Sequence, residues 1–289
     1  QQTQVKTVIP YFDRFTKKYK TLKDLSKSSE KEILKLWEGL GYYRRARNLL
    51  KCSKLLVKNY NFKLPKTINE IKQLPGIGEY TGNALLGLVH DQPTIAIDGN
   101  VKRIFSRLLN KEVKKVNFEK IILLNKSKLF KTNRNSDFVE GIMEFGALVC
   151  KPKNPNCVSC CLKKTCKYFK SSNKIKASKK KMVKKKDYNI FCYINKNKQI
   201  ALTKKNQLGF LKNFNLPRIE ETNCFADTKN WKFLKKYKNS ISNLELNINL
   251  YYKFSDKIPS SYNWYSLENN KEFVPSFTKK VFRQVSTLF

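Results

Sequence analysis

The sequence predicts two folded parts, a mainly α-helical domain followed by a smaller α+β domain. Three observations carry this reading. Apolar residues recur at intervals of three and four through residues 1–169, four cysteines close that stretch, and short β-prone runs follow a lysine-rich gap. With 289 residues the chain is long enough for two cores. An apolar content of 40%, with 19 Phe and 14 Tyr, excludes a wholly disordered chain. No apolar run is long enough to span a membrane, and no secretory signal is visible.

In chain order, helices are expected over Glu30–Leu40, Tyr43–Asn59, Tyr80–Leu88, Asn100–Leu109 and Phe118–Phe130, with a further helical pattern over Phe138–Val149. Residues 170–187 carry almost no large apolar side chains. Their like charges repel, so an exposed basic linker is expected, one that could also follow phosphates. Beyond it, Tyr188–Ile194 and Gln199–Thr203 are β-prone and are separated by the hairpin signal Asn195–Lys198. Leu244–Phe254 reads as another strand and Pro275–Leu288 as a closing helix.

The formal charge of +38 self-repels unless a polyanion neutralises it, and nucleic acid is the usual one. Lysine-rich, asparagine-rich composition alone produces such a charge, so it supports DNA binding without establishing it. The one histidine, His90, reads as a loop residue, which disfavours imidazole-based metal sites and Ser–His or Cys–His catalysis.

Four of the eight cysteines, Cys150, Cys157, Cys160 and Cys166, fall in the spacing C-x6-C-x2-C-x5-C. Four thiolates in one loop suit a tetrahedral zinc ion or a cubane iron–sulfur cluster. Zinc sites generally pair two C-x2-C hairpins across a longer loop, so the single compact run favours the cluster. Cys161 is an alternative ligand or an idle neighbour of Cys160. Cys52, Cys192 and Cys224 read as small buried apolar residues. The loop's lysines suggest that the group holds a basic loop against phosphates.

Leu74–Gly78 (LPGIG) lies between helical segments. Gly76 and Gly78 allow a tight turn whose backbone N–H groups, with the next helix N-terminus, can hold a phosphate oxygen. Asp98 follows an apolar approach and stands at the mouth of a helix. It is either an N-cap or a carboxylate fixed in a cleft, facing the positive charge that develops on a sugar as a glycosidic bond breaks.

In that order, Leu74–Gly78, the D-G-N-V-x-R stretch Asp98–Arg103 and the cysteine run resemble the helix-hairpin-helix superfamily of DNA glycosylases. Gln1–Val5, Gly39–Leu49 and Asp98–Val101 are similar to the adenine DNA glycosylase family in particular, and the resemblance covers residues 1–169. It implies a helix-hairpin-helix glycosylase domain over 1–169 with a [4Fe-4S] loop at 150–166, the linker 170–187, and a Nudix-like lesion-recognition domain over 188–289. The implied activity is base-excision repair: hydrolysis of the N-glycosidic bond of adenine mispaired with 8-oxoguanine or guanine in double-stranded DNA. A monomer, in the cytoplasm with the nucleoid, is expected.

The resemblance also implies roles. Asp98 would stabilise the oxocarbenium-like sugar, with Tyr80 and Asn100 lining the same pocket. Endonuclease III-type relatives carry a Schiff-base lysine where Tyr80 stands, so a monofunctional enzyme is implied. Gln2 and Tyr42 would wedge into the duplex while the base flips out, and Gly76 and Gly78 would hold backbone phosphate. In the second domain Ser242, in Ile241–Asn243, matches one position of the family's Phe-Ser-His lesion-reading loop. Glu220 and Glu221 stand without the continuation of a Nudix metal box, which points to recognition rather than hydrolysis.

The family's catalytic Glu lies just upstream of Gln-Gln-Thr-Gln, and the chain begins inside that motif. A truncated sequence that excises adenine poorly is therefore expected. The alternatives are a degenerate, non-catalytic DNA-binding iron–sulfur protein, or a glycosylase of the same superfamily directed at another base. An electron carrier fits neither the charge nor the hairpin.

Overall fold

The computed structural model describes Thr3 and residues 5–130, 133–172, 184–205, 211, 214–222, 228–241, 244–268 and 273–289. Gln2, Cys224, Ser242 and most of the expected linker lie outside these. The chain divides into two compact units, Asn48–Lys179 and a second formed by Gln1–Arg47 with Lys180–Phe289. The first 47 residues thus group with the C-terminal part of the chain.

In the second unit, helices α1 (Val5–Lys18), α2 (Leu22–Lys27) and α3 (Glu30–Leu36) come first. Capping boxes start α2 and α3: Thr21 and Asp24 exchange side-chain-to-backbone bonds in one, Ser29 and Glu32 in the other. Expected to reach Leu40, α3 instead ends at Leu36, because the chain turns through left-handed backbone at Gly39, Gly41 and Tyr42. Helix α4 (Arg44–Asn59) leaves that turn and enters the other unit.

The C-terminal part is a six-stranded mixed sheet of β1 (Lys184–Ile194), β2 (Gln199–Leu202), β3 (Arg218–Glu221), β4 (Lys232–Ile241), β5 (Leu244–Phe254) and β6 (Asn263–Ser266). The order is β4-β5-β1-β2-β6, with β3 also on β1. Strands β1 and β5 are parallel and the other pairs antiparallel. Lys184–Asp187, expected in the linker, already pair with β5. The hairpin turn is held by the Asn195 side-chain oxygen, which accepts from the Asn197 and Gln199 amides at 3.0 Å each. Helix α12 (Ser276–Val285) buries Phe277, Val281, Phe282 and Val285, and its Lys280 donates to Asn239 of β4 at 2.7 Å. Tyr43 joins the N-terminal turn to this part: its hydroxyl meets Ser276 Oγ at 2.9 Å, and its ring packs edge-on against Phe214 and Phe273.

The other unit is helical. After α4 come α5 (Ile68–Ile71), α6 (Glu79–His90), α7 (Gly99–Leu109), α8 (Phe118–Leu124), α9 (Lys126–Leu129), α10 (Asn135–Leu148) and α11 (Lys167–Lys170). Leu50, Ser53 and Leu56 share one buried face of α4. Ile71, Leu74, Leu86, Ile95, Val101, Ile104 and Val139 are buried contributions from the segments that follow. The expected helix Phe118–Phe130 is broken at Asn125, whose side-chain amide donates to the Ile121 carbonyl at 2.8 Å. His90 is the last residue of α6, with Nε2 3.0 Å from the Pro65 carbonyl.

Candidate active site and thiol cavity

Asp98 caps α7. Its Oδ1 accepts from the Asn100 and Val101 amides at 2.8 Å each, and its Oδ2 accepts from Asn100 Nδ2 at 3.0 Å. The N-cap reading is therefore correct as far as it goes, since two backbone donors of the first turn end on one oxygen. The second oxygen is held by a side chain, which fixes the plane of the half-buried carboxylate.

Asn100 is itself held. Its Oδ1 accepts from Arg103 Nη2 at 2.8 Å. The same guanidinium donates through Nη2 to the Gly146 carbonyl at 2.7 Å and through Nε to the Cys150 carbonyl at 2.8 Å. Gly146 lets α10 approach this closely, because a Cβ there would stand 2.6 Å from Asn100 Cβ. One turn along α7, Arg107 donates to the Lys151 and Pro152 carbonyls at 2.7 and 3.1 Å and to Cys150 Sγ at 3.3 Å. Two arginines on one helix thus tie the Asp98 cap to the cysteine loop.

Tyr80, in the first turn of α6, is near enough to Asp98 that burial first, and the carboxylate second, raise its phenol pKa above the ordinary value. It lines a cleft of about 980 Å³ with Asn83, Thr94, Ile97, Lys102 and Phe118 among others. Neither Asp98 nor Asn100 is among the residues that line this cleft. Both ends of the Asn100 amide are engaged by Asp98 and Arg103, and Gly146 backs it.

The turn before α6 has Gly76 at φ +82°, where a Cβ would strike Asn48 Nδ2 and Cβ at 2.6 and 2.7 Å. Gly78 is the N-cap of α6 and supplies no side-chain cap, so the first-turn amides keep their capacity for an outside acceptor. In the other unit Tyr42 is 46% exposed on left-handed backbone at φ +48°.

Cys150, Cys157, Cys160 and Cys166 line one cavity with Ile104, Leu108, Phe145, Val149 and Leu162 among its walls. Cys161 is exposed and is not part of the lining. Among the described residues no three His, Cys, Asp or Glu side chains converge as ligands of a single metal ion.

The family model for the HhH-GPD superfamily of base excision DNA repair proteins matches residues 1–124. The adenine DNA glycosylase of Buchnera aphidicola subsp. Baizongia pistaciae is 34% identical over 288 residues, covering 93% of this chain and 82% of its own. That of Buchnera aphidicola subsp. Schizaphis graminum is 35% identical over 268 residues, covering 88% and 74%. The chain belongs to the adenine DNA glycosylase family.

A solved thermostable thymine-DNA glycosylase superposes with a TM-score of 0.53 at 27% identity, over 59% of this chain and 79% of that one. The protein is accordingly a base-excision-repair DNA N-glycosylase of the helix-hairpin-helix fold, with a C-terminal α+β region. Nothing in these comparisons favours the non-catalytic alternative. Among the described residues, no helix is long and apolar enough to cross a membrane.

The cysteine cavity offers four thiol donors, the donor chemistry that a thiolate-bound group needs. The donors share one space with apolar walls, and Arg107 offers a hydrogen bond to Cys150 sulfur. Arg103, Arg107 and Gly146 carry no separate role in the sequence reading. The signal available was the spacing of Asn100, Arg103 and Arg107 at three and four along one helix, which places them on a common face.

Proposed function

We propose that this protein removes adenine mispaired with 8-oxoguanine or guanine from double-stranded DNA, acting as a monofunctional, monomeric glycosylase in the cytoplasm. The observation that carries the reading is the Asp98 carboxylate, held by three donors at 2.8, 2.8 and 3.0 Å at the mouth of α7. A carboxylate fixed before the reaction stabilises positive charge on the sugar ring as the base departs, without reorganising at that moment.

Tyr80 supports the monofunctional mode. Its phenol, pushed up by burial and by Asp98, stays protonated near neutral pH, and a phenol forms no Schiff base with the opened sugar. The abasic product would be left with its strand intact. The uncapped start of α6 and the Gly76 turn would hold a backbone phosphate. Exposed Tyr42, with Gln2, would enter the duplex while the adenine leaves it.

Cys150, Cys157, Cys160 and Cys166 would hold a [4Fe-4S] cluster, which when bound would cross-link the loop. The residues of α7 then do the remaining work: Arg107 and Arg103 clamp the loop backbone, and Asn100 orients the carboxylate.

The C-terminal α+β region would act as a Nudix-like reader of the opposite base, through the β4–β5 connection that contains Ser242. Its acidic pair supports recognition over hydrolysis, since Glu220 is paired with Arg218 at 2.6 Å and Glu221 with Lys186. The test is single-turnover excision by the full-length protein on duplexes with adenine opposite 8-oxoguanine, guanine or thymine. The reading expects the fastest release opposite 8-oxoguanine and none opposite thymine. Equal rates on all three would remove the recognition role, and release of another base would remove the substrate assignment.

A further inference from the structure

Residues 44–47 read Arg-Arg-Ala-Arg, and their neighbours in the fold separate the three arginines. Arg44 is exposed. Arg47 pairs with Glu30 at 2.7 Å and lies over the Phe214 ring at 4.5 Å. Arg45 turns back beneath the preceding turn: its guanidinium stands 5.1 Å from the Tyr42 ring centroid and 5.6 Å from that of Trp37. Its Nη2 donates to Thr3 Oγ1 at 3.0 Å. Trp37 is fixed in turn, since its Nε1 donates to the Gly41 carbonyl at 3.1 Å.

Tyr42 needs such support. A non-glycine residue holds left-handed backbone only at a cost, and nearly half of this side chain is exposed to solvent. A ring so placed gains its orientation from what lies beneath it. A guanidinium is planar and can offer a face to each of two rings while its edge still donates, which a lysine ammonium cannot do.

We propose that Arg45 is a positioning residue for the interaction with DNA, holding Tyr42 outward as a stacking wedge while its edge is anchored on Thr3. The inference rests on the reading of Tyr42 as a wedge given above. One guanidinium thus both supports the pose of that ring and holds Thr3. Arg45 itself need not touch DNA.

The experiment uses the full-length protein on a duplex with a reduced abasic site opposite 8-oxoguanine and 2-aminopurine at the neighbouring step, whose fluorescence rises when the step unstacks. Binding affinity and melting temperature are measured alongside. Tyr42→Ala should abolish the fluorescence rise. Arg45→Lys should keep the native melting temperature, lose most of the rise and weaken binding about fivefold, as expected for a lost cation–π contact. Thr3→Val should show a smaller loss in the same direction. The double variant Arg45→Lys with Tyr42→Ala should be no worse than Tyr42→Ala alone, because both act through one ring. Should Arg45→Lys fail to fold, Thr3→Val carries the test by itself.

A full fluorescence rise in Arg45→Lys, or additive losses in the double variant, would overturn the role of Arg45 while leaving the wedge intact. An unchanged rise in Tyr42→Ala would overturn the wedge reading and the inference with it.

Discussion

Arg103 Nε lies 2.8 Å from the carbonyl oxygen of Cys150, and through this bond the helix that presents Asp98 is tied to the first cysteine of the thiol loop. The same guanidinium reaches the Asn100 amide, so the pose of the carboxylate depends on that of the loop.

Arg103→Lys should therefore damage catalysis at a distance. It keeps a positive charge but cannot serve Asn100, Gly146 and Cys150 together. Loss of charge-assisted bonds in a half-buried site should cost about 2 kcal/mol of stability. Excision should slow by tenfold or more, on the order of 1.4 kcal/mol in the barrier. Melting curves and single-turnover rates check both, and a variant that melts early yet excises normally would uncouple loop and carboxylate.

Gly76→Ala places a Cβ on left-handed backbone and within 2.7 Å of Asn48. Strain of this kind costs on the order of 1–3 kcal/mol. The turn before α6 should shift, and affinity for duplex DNA should fall whatever base is mispaired. Gel-shift or anisotropy titrations on lesion and plain duplexes should drop in parallel; a loss confined to the lesion duplex would argue against phosphate holding.

Tyr43→Phe removes the hydroxyl that meets Ser276 Oγ at 2.9 Å and accepts from the Ser276 amide at 3.1 Å. Partly buried groups of Ser276 lose their partner, so stability should fall by about 1 kcal/mol. Denaturant unfolding measures it. An unchanged midpoint would mean that the N-terminal turn does not depend on this contact.

The Glu32 carboxyl is held down to about 2, mainly by the Ser29 amide and hydroxyl and further by Lys18. Its folded-state pKa is thus below the ordinary value of 4.5. The contribution of the cap is present in full above that ordinary value and is lost as pH falls toward the folded one. Acid unfolding of Glu32→Gln should lack this increment between about pH 4.5 and pH 2. Superimposable pH profiles of variant and native protein would refute the capping contribution.

Much of the helical part was legible because its signals are local. Asp98 at a helix mouth, the turn at Gly76 and the cysteine spacing each act within a few residues, and apolar periodicity marks α4, α6 and α7. What was not legible depends on distant partners. Tyr43 and Ser276 are 233 positions apart, and no pattern around either announces that residues 1–47 group with the C-terminal part. Arg103 looks like one more cation in a basic chain until its acceptors, two of them on the distant residues Gly146 and Cys150, are seen. Strand β4, with Lys232, Lys235, Lys236 and Lys238, hides its period because an edge strand tolerates lysines that blunt pairing with other chains. The break at Asn125 comes from one side-chain bond that periodicity does not register.

The most direct test of the account is single-turnover excision of adenine opposite 8-oxoguanine by the full-length protein and its Asp98→Asn variant, read with and without alkali. The account predicts adenine release by the native protein, strand breaks only after alkali, and a loss of at least about a thousandfold in Asp98→Asn with DNA binding retained, as when a group stabilising transition-state charge is removed. Strand cleavage without alkali, or excision by Asp98→Asn at the native rate, would contradict it.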